Sequence, residues 1–142
     1  AWAEDSIGRR QYQLFVKDLT TGKTFSDVVE NIEANIVWAD DNKTLFYIEK
    51  DPVTLLSKRV KTHVLGTPGA LDKLVYEEAD DSFYMGLSRT RSEKYICISV
   101  ESTVSVSLVV PSDAVYFKVA SAALMPDATN SDIFTRRTRM PE

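Results

Sequence analysis

The chain has 142 residues, 44% of them apolar and 27% charged, which is the make-up of an ordinary globular protein long enough for one domain. Its net charge of −4 gives no electrostatic attraction to nucleic acid or to an anionic membrane, so neither is expected as a partner. No stretch reaches the apolar length of a membrane span and no charged-then-apolar signal segment opens the chain, so a cytoplasmic location is expected.

In chain order, the dominant pattern is a succession of short β-type segments with turn residues between them. Residues 12–19 alternate, with Tyr12, Leu14 and Val16 on one face and Gln13 and Lys17 on the other. Thr20-Thr21-Gly22-Lys23 is a hairpin turn with glycine where a positive φ is wanted, and 25–29 is expected to return. Segments 35–39 and 44–48, rich in β-branched and aromatic residues, flank the turn Asp40-Asp41-Asn42-Lys43 as a second hairpin. Segments 58–65 and 73–77 pair around Gly66-Thr67-Pro68-Gly69, and 83–87 pairs with 94–101 around a polar turn. A last pair is expected at 104–110 and 115–119, interrupted by Pro111-Ser112-Asp113. No amphipathic helix emerges: 55–64 is basic on all sides, and 120–125 is short and runs into Pro126.

The hairpins recur. Trp38 and its turn lead into Phe46-Tyr47-Ile48, as Leu87 and its turn lead into Tyr95-Ile96-Cys97. The pair at 58–77 stands to the second hairpin as the pair at 12–29 stands to the first. Four strands in about 45–50 residues is the repeat of a propeller blade. The fold class is therefore all-β, a partial β-propeller of roughly two to three four-stranded antiparallel blades. A β-sandwich also brings turns at such intervals and is the competing architecture. Residues 1–120 are assigned to the blades and 121–142 to a polar tail without a clear element. An open arc leaves sheet edges unpaired, so self-association through those edges is expected.

Catalytic signatures are missing from the sequence. Gly86-Leu87-Ser88-Arg89-Thr90 lacks the second glycine of a nucleophile elbow, and there is no phosphate loop, dinucleotide fingerprint or H-E-x-x-H. Cys97 lies in an apolar strand-like run and reads as a small hydrophobe; as a catalytic thiol it would need the sole histidine, His63, which lies in a different strand. The acidic clusters Asp40-Asp41 and Glu77-Glu78 with Asp80-Asp81 suit a metal or acid/base pair, or else solvated turns that use carboxylates for local hydrogen bonds. Trp38, Phe46, Tyr47, Tyr76, Phe83, Tyr84 and Tyr95 read as core between blades rather than a stacking surface. Arg136, Arg137 and Arg139 are a basic patch on a solvated tail. No residue is assigned to catalysis, metal binding or cofactor binding, and no cofactor is expected.

Several runs nevertheless carry a resemblance. Trp38-Ala39-Asp40-Asp41-Asn42-Lys43-Thr44-Leu45-Phe46-Tyr47 followed by Asp51-Pro52-Val53-Thr54 resembles the N-terminal propeller of the prolyl oligopeptidase family of serine peptidases, oligopeptidase B type. Glu4-Asp5 with Gly8-Arg9-Arg10-Gln11-Tyr12, then His63-Val64-Leu65-Gly66-Thr67, agree in order. So do Leu74-Val75-Tyr76-Glu77-Glu78 with Asp80-Asp81-Ser82-Phe83-Tyr84, and Thr90-Arg91-Ser92-Glu93-Lys94-Tyr95-Ile96. The likeness runs from position 2 to about 105. It departs at Ser57-Lys58-Arg59-Val60-Lys61-Thr62, where the family more often has proline and aromatic residues, and it fades beyond Ser105.

The resemblance implies a seven-bladed propeller capping an α/β-hydrolase domain that carries the Ser, Asp and His of the triad. It implies an enzyme that cuts short peptides after Lys or Arg, with the propeller restricting large substrates. The partner it implies is the hydrolase domain of the same enzyme. The competing function is a non-catalytic propeller-like module for protein interaction.

Overall fold

The computed structural model describes residues 1–93 and 95–103 and the strands at 106–109 and 118–120. The chain divides into two compact units, Ala1–Asp81 and Ser82–Glu142. The first carries β1 (Trp2–Glu4), β2 (Tyr12–Phe15), β3 (Val29–Trp38), β4 (Thr44–Lys50), β5 (Ser57–Val64) and β6 (Lys73–Glu77), with a 3₁₀ turn at Gly69–Leu71. These strands form one antiparallel sheet in sequence order. The second unit carries β7 (Tyr84–Arg89), β8 (Ile96–Glu101), β9 (Val106–Val109) and β10 (Lys118–Ala120), again a meander in sequence order. Neither described sheet closes on itself.

Alternation in the sequence sets the faces. Leu14 and Val16 are buried in one cluster with Val29, Ile32, Leu45 and Tyr47, and Tyr12 packs against it. Strand β4 is buried on both faces, with Leu45, Phe46, Tyr47 and Ile48 all at 3% exposure or less, which is why it reads as a continuous apolar run. It is an interior strand of its sheet, between β3 and β5, paired along its length with β5 from Thr44↔Val64 to Lys50↔Ser57. In the second unit Ile96, Cys97, Ile98 and Val100 are buried on β8, which lies between β7 and β9. Gly86 on β7 faces Ser99 on β8 so closely that a Cβ there would stand 2.7 Å from the hydroxyl, so only glycine fits without moving Ser99.

The turns obey a small set of rules. Asp18, Asp41 and Asp51 each open a turn with threonine three residues on, and each aspartate accepts backbone N–H groups within its own turn. The Thr21 and Thr44 hydroxyls also donate to their aspartates, at 2.7 and 2.6 Å. Two of these turns share one backbone closure. Asp18 N–H donates to the Lys23 carbonyl and Gly22 N–H to Asp18; likewise Asp51 N–H donates to Leu56 and Leu55 N–H to Asp51. The residue before the close has positive φ in both, 74° at Gly22 and 62° at Leu55. The turn from Ala39 to Thr44 recurs as that from Thr90 to Tyr95, with Asn42 and Glu93 in matching left-handed positions.

Two expectations are corrected. Residues 25–28 are not strand: the return after Gly22 is a single Lys17↔Thr24 bridge, and regular pairing resumes only at Leu14↔Val29. The reason is Asp27, whose carboxylate turns inward to His63 and the Gly66 amide. The grouping of strands also differs. The pair at 58–77 continues the six-stranded sheet that already holds the Trp38 hairpin, instead of joining the Leu87 hairpin, and 84–101 opens the next sheet. The Asp51 turn joins β4 to β5 without glycine at its left-handed position, so nothing in the local sequence marks it as a tight hairpin.

The last expected pair is present as β9 and β10, joined antiparallel with Val109↔Lys118 in register. The tail at 121–142, with Arg136, Arg137 and Arg139, lies outside the described residues. Among the aromatic residues expected in the core, Phe46 and Tyr47 are buried, whereas Tyr84 is 63% and Tyr95 39% exposed.

Candidate functional site

Each acidic cluster singled out in the sequence falls in a turn or beside a strand and is matched locally. Asp41 takes its turn amides and the Thr44 hydroxyl, and that hydroxyl bond together with the Lys43 amide holds its carboxyl below the usual range. Glu77 accepts from Arg59 at 2.9 Å, Glu78 from the Tyr76 phenol at 2.6 Å, and Asp81 pairs with Lys58. Asp80 donates its backbone N–H to Glu78. Among the described residues no group of three or more His, Cys, Asp or Glu is arranged to hold a metal ion. No helix there is long and apolar enough to cross a membrane. Cys97 is buried on β8, and burial pushes its thiol up, away from the thiolate a nucleophile needs.

The unusual chemistry of the first unit lies on one face of β4 and β5. Side chains two apart on a strand share a face, so Arg59, Lys61 and His63 line up on β5 beside Glu49, Tyr47 and Leu45 on β4. At one end, Arg59 bridges Glu49 at 2.7 Å and Glu77 at 2.9 Å, and Lys61 reaches Glu49 at 2.7 Å. Partial burial pushes the Glu49 carboxyl up, but the bonds from Lys61 and Arg59 outweigh it and hold it below the usual range. The basic run that broke the family pattern is thus paired with carboxylates.

At the other end His63 is fully buried between two aspartates. Its Nδ1 lies 2.8 Å from Asp72 and its Nε2 3.3 Å from Asp27. Asp72 also accepts the Tyr47 phenol at 2.7 Å, and Asp27 accepts the Gly66 N–H at 2.7 Å. Burial first, and then the Asp72 carboxylate, push the Tyr47 phenol well above its ordinary value, so it stays a donor. A shallow cleft of about 260 Å³ opens between the two ends, lined by Val28, Glu30, Tyr47, Glu49, Lys61 and Gly69 among others. Lys50, also buried, pairs with Glu33 at 3.0 Å and donates to the Arg10 carbonyl, while Ser57 donates to Glu33.

In the sequence His63 stands only as a histidine on a different strand from Cys97, with no assigned role. The signal available was its place on an alternating strand at an inward position. Its partners come from loops 36 and 9 residues away, which no spacing rule connects.

The sheets and turns are those of a propeller blade series, and comparison with known proteins decides the family. The model of the prolyl oligopeptidase N-terminal β-propeller domain matches residues 1–124. The chain belongs to that family. It is 65% identical over 105 residues to dipeptidyl aminopeptidase BI of Pseudoxanthomonas mexicana, covering 74% of the chain and 14% of that relative. It is 32% identical over 100 residues to protease 2 of Moraxella lacunata, covering 69% of the chain and 14% of the relative. The chain therefore spans about one seventh of these two relatives, within the propeller region. Among solved structures, oligopeptidase B of Leishmania major superposes with a TM-score of 0.75 at 25% identity, over 82% of this chain and 17% of that one. Oligopeptidase B of Trypanosoma brucei gives 0.70 at 22% identity, over 84% and 17%, a likeness of fold. The sandwich alternative is set aside by these matches.

Proposed function

We propose that this chain is the gating and scaffold portion of a serine peptidase resembling oligopeptidase B, which hydrolyses short peptides after Lys or Arg. The match of a peptidase propeller domain to residues 1–124 carries the reading. The chain's own residues supply the blades. Its polar clusters are engaged in turns and internal ion pairs, and its one thiol is buried. The Ser, Asp and His of the reaction are assigned to a hydrolase domain, the propeller's partner, with the blades excluding large substrates from it. We place the work in the cytoplasm, a compartment that suits a free thiol.

A second reading of the whole enzyme's specificity rests on the 65% identical relative, whose name is that of a dipeptidyl aminopeptidase. On that reading the enzyme releases dipeptides from free N-termini. A chimera separates the two: the matching propeller segment of the Pseudoxanthomonas relative is replaced by this chain's. The chimera is expected to cleave short arginyl peptides and to spare folded proteins. Equal cleavage of N-blocked and free arginyl substrates supports the endopeptidase, and a requirement for a free N-terminus supports dipeptide release. The chain alone is expected to be inactive; arginyl hydrolysis by it, abolished by a serine-directed inhibitor, overturns the proposal.

A further inference from the structure

Of the five non-glycine residues with positive φ among those described, three fall in one corner of the first unit: Arg10 at 58°, Asn31 at 56° and Leu55 at 62°. Such a backbone costs about 1 kcal/mol or more, least for asparagine, and persists only where the surroundings fix it. Here they do. Gln11 Nε2 donates to the Asn31 side chain at 3.2 Å and to the Pro52 carbonyl at 3.4 Å, joining the loop at 5–11 to β3 and to the β4–β5 turn. The buried Lys50 bridges the Arg10 carbonyl and Glu33, each at 3.0 Å. Asp5 closes the loop from within, accepting the N–H groups of Ile7, Gly8 and Arg10.

What this support holds out to solvent is cationic and apolar. Arg9 and Arg10 are exposed, and the same two loops carry Ile7 at 73% and Val53 at 84% exposure. Lys50, Lys58, Arg59 and Lys61 each pair with a carboxylate, whereas among the described residues none lies within ion-pair reach of Arg9 or Arg10. Asp5, the carboxylate of their own loop, spends both oxygens on backbone N–H groups. An arginine fork matches a carboxylate, and a loop fixed in advance loses little entropy when it docks. Arginine beside large apolar side chains is the make-up of an interface centre. In the two relatives most of the length lies outside the segment that this chain matches, so a covering surface is available there.

We propose that the corner formed by residues 5–11 and 51–56 is a docking surface for the hydrolase domain, with Arg9 and Arg10 paired to carboxylates of that domain and Ile7 and Val53 packed beside them. The inference rests on the gating role proposed for the chain and adds the surface that holds the gate shut. The strained loops are the fixed mount, and the two arginines are the contact. Docked, the blades cover the hydrolase; undocked, large substrates enter.

The test uses the chimera in which this chain replaces the matching segment of the Pseudoxanthomonas relative, with and without Arg9→Glu and Arg10→Glu together. The charge reversal is expected to lower kcat/KM on a short arginyl peptide about tenfold, and to raise both the radius of gyration in small-angle scattering and the cleavage of folded proteins. Hydrogen exchange at 6–11 and 52–55 should be about tenfold slower in the unreversed chimera than in the isolated chain. The isolated chain should keep its urea midpoint on reversal, since both side chains are exposed. An active chimera whose size and activity ignore the reversal overturns the docking surface alone, as does equal exchange in chimera and isolated chain. Loss of stability in the reversed isolated chain overturns it too, by assigning the arginines to the chain's own fold. A chimera without arginyl hydrolysis before any reversal overturns the gating role, and this surface with it.

Discussion

Aspartate does much of the local organising in this chain, and it does so as an ion. Asp18, Asp41 and Asp51 each gather N–H donors of their own turn, and the fold depresses the pKa of each. For Asp18 the largest cause is the Thr21 hydroxyl, for Asp41 the Thr44 hydroxyl, and for Asp51 the Thr54 amide. A carboxylate whose folded pKa is lowered stabilises the fold above the unfolded value of about 3.9, and that contribution is lost as pH falls through the folded value. The urea midpoint of the chain is therefore expected to hold from about pH 7 to about pH 5 and to fall steadily below about pH 4. A midpoint flat to about pH 3 would show that these bonds do not distinguish folded from unfolded chain.

At the scale of the element, the two turns closed between Asp18 and Lys23 and between Asp51 and Leu56 are one design with different residues at the left-handed position. Gly22 adopts positive φ freely and has open space around its α-carbon, so Gly22→Ala adds only backbone strain, costing about 1 kcal/mol. Leu55 already bears that strain, at φ 62°. Leu55→Gly should relieve it and leave stability unchanged or raised by up to about 1 kcal/mol, the lost side-chain contacts working against the gain. Thermal or urea unfolding of both variants tests the pair, and a Leu55→Gly loss above about 2 kcal/mol would mean that Leu55 packing outweighs its backbone.

At the scale of the whole molecule, each described sheet ends in edge strands: β1 and β6 in the first unit, β7 and β10 in the second. An unpaired edge offers a row of backbone donors and acceptors to another chain. The edge at β6 carries little protection, with Leu74 53% exposed and a five-residue run free of proline. The isolated chain is thus expected to self-associate with concentration in sedimentation velocity, through β6 among others. Placing a proline at Leu74 should reduce that association without touching the β4–β5 core. A monomer at every concentration would indicate that these edges are closed off in some other way.

The sequence by itself determined the all-β class, the hairpins about Asp40-Asp41-Asn42-Lys43 and Gly66-Thr67-Pro68-Gly69, and the family. Those features are local: a turn is written in the few residues that hydrogen-bond within it, and a buried face in the alternation along one strand. The repeat of the Trp38 hairpin was legible for the same reason, since the turn from Ala39 to Thr44 recurs from Thr90 to Tyr95 with the same bonds. What the tertiary structure alone decided was which hairpins share a sheet. That depends on the β4–β5 pairing, whose turn carries leucine where a hairpin signal would be glycine. It alone also placed His63 between Asp27 and Asp72, because a hydrogen bond between distant loops leaves no periodicity in the chain.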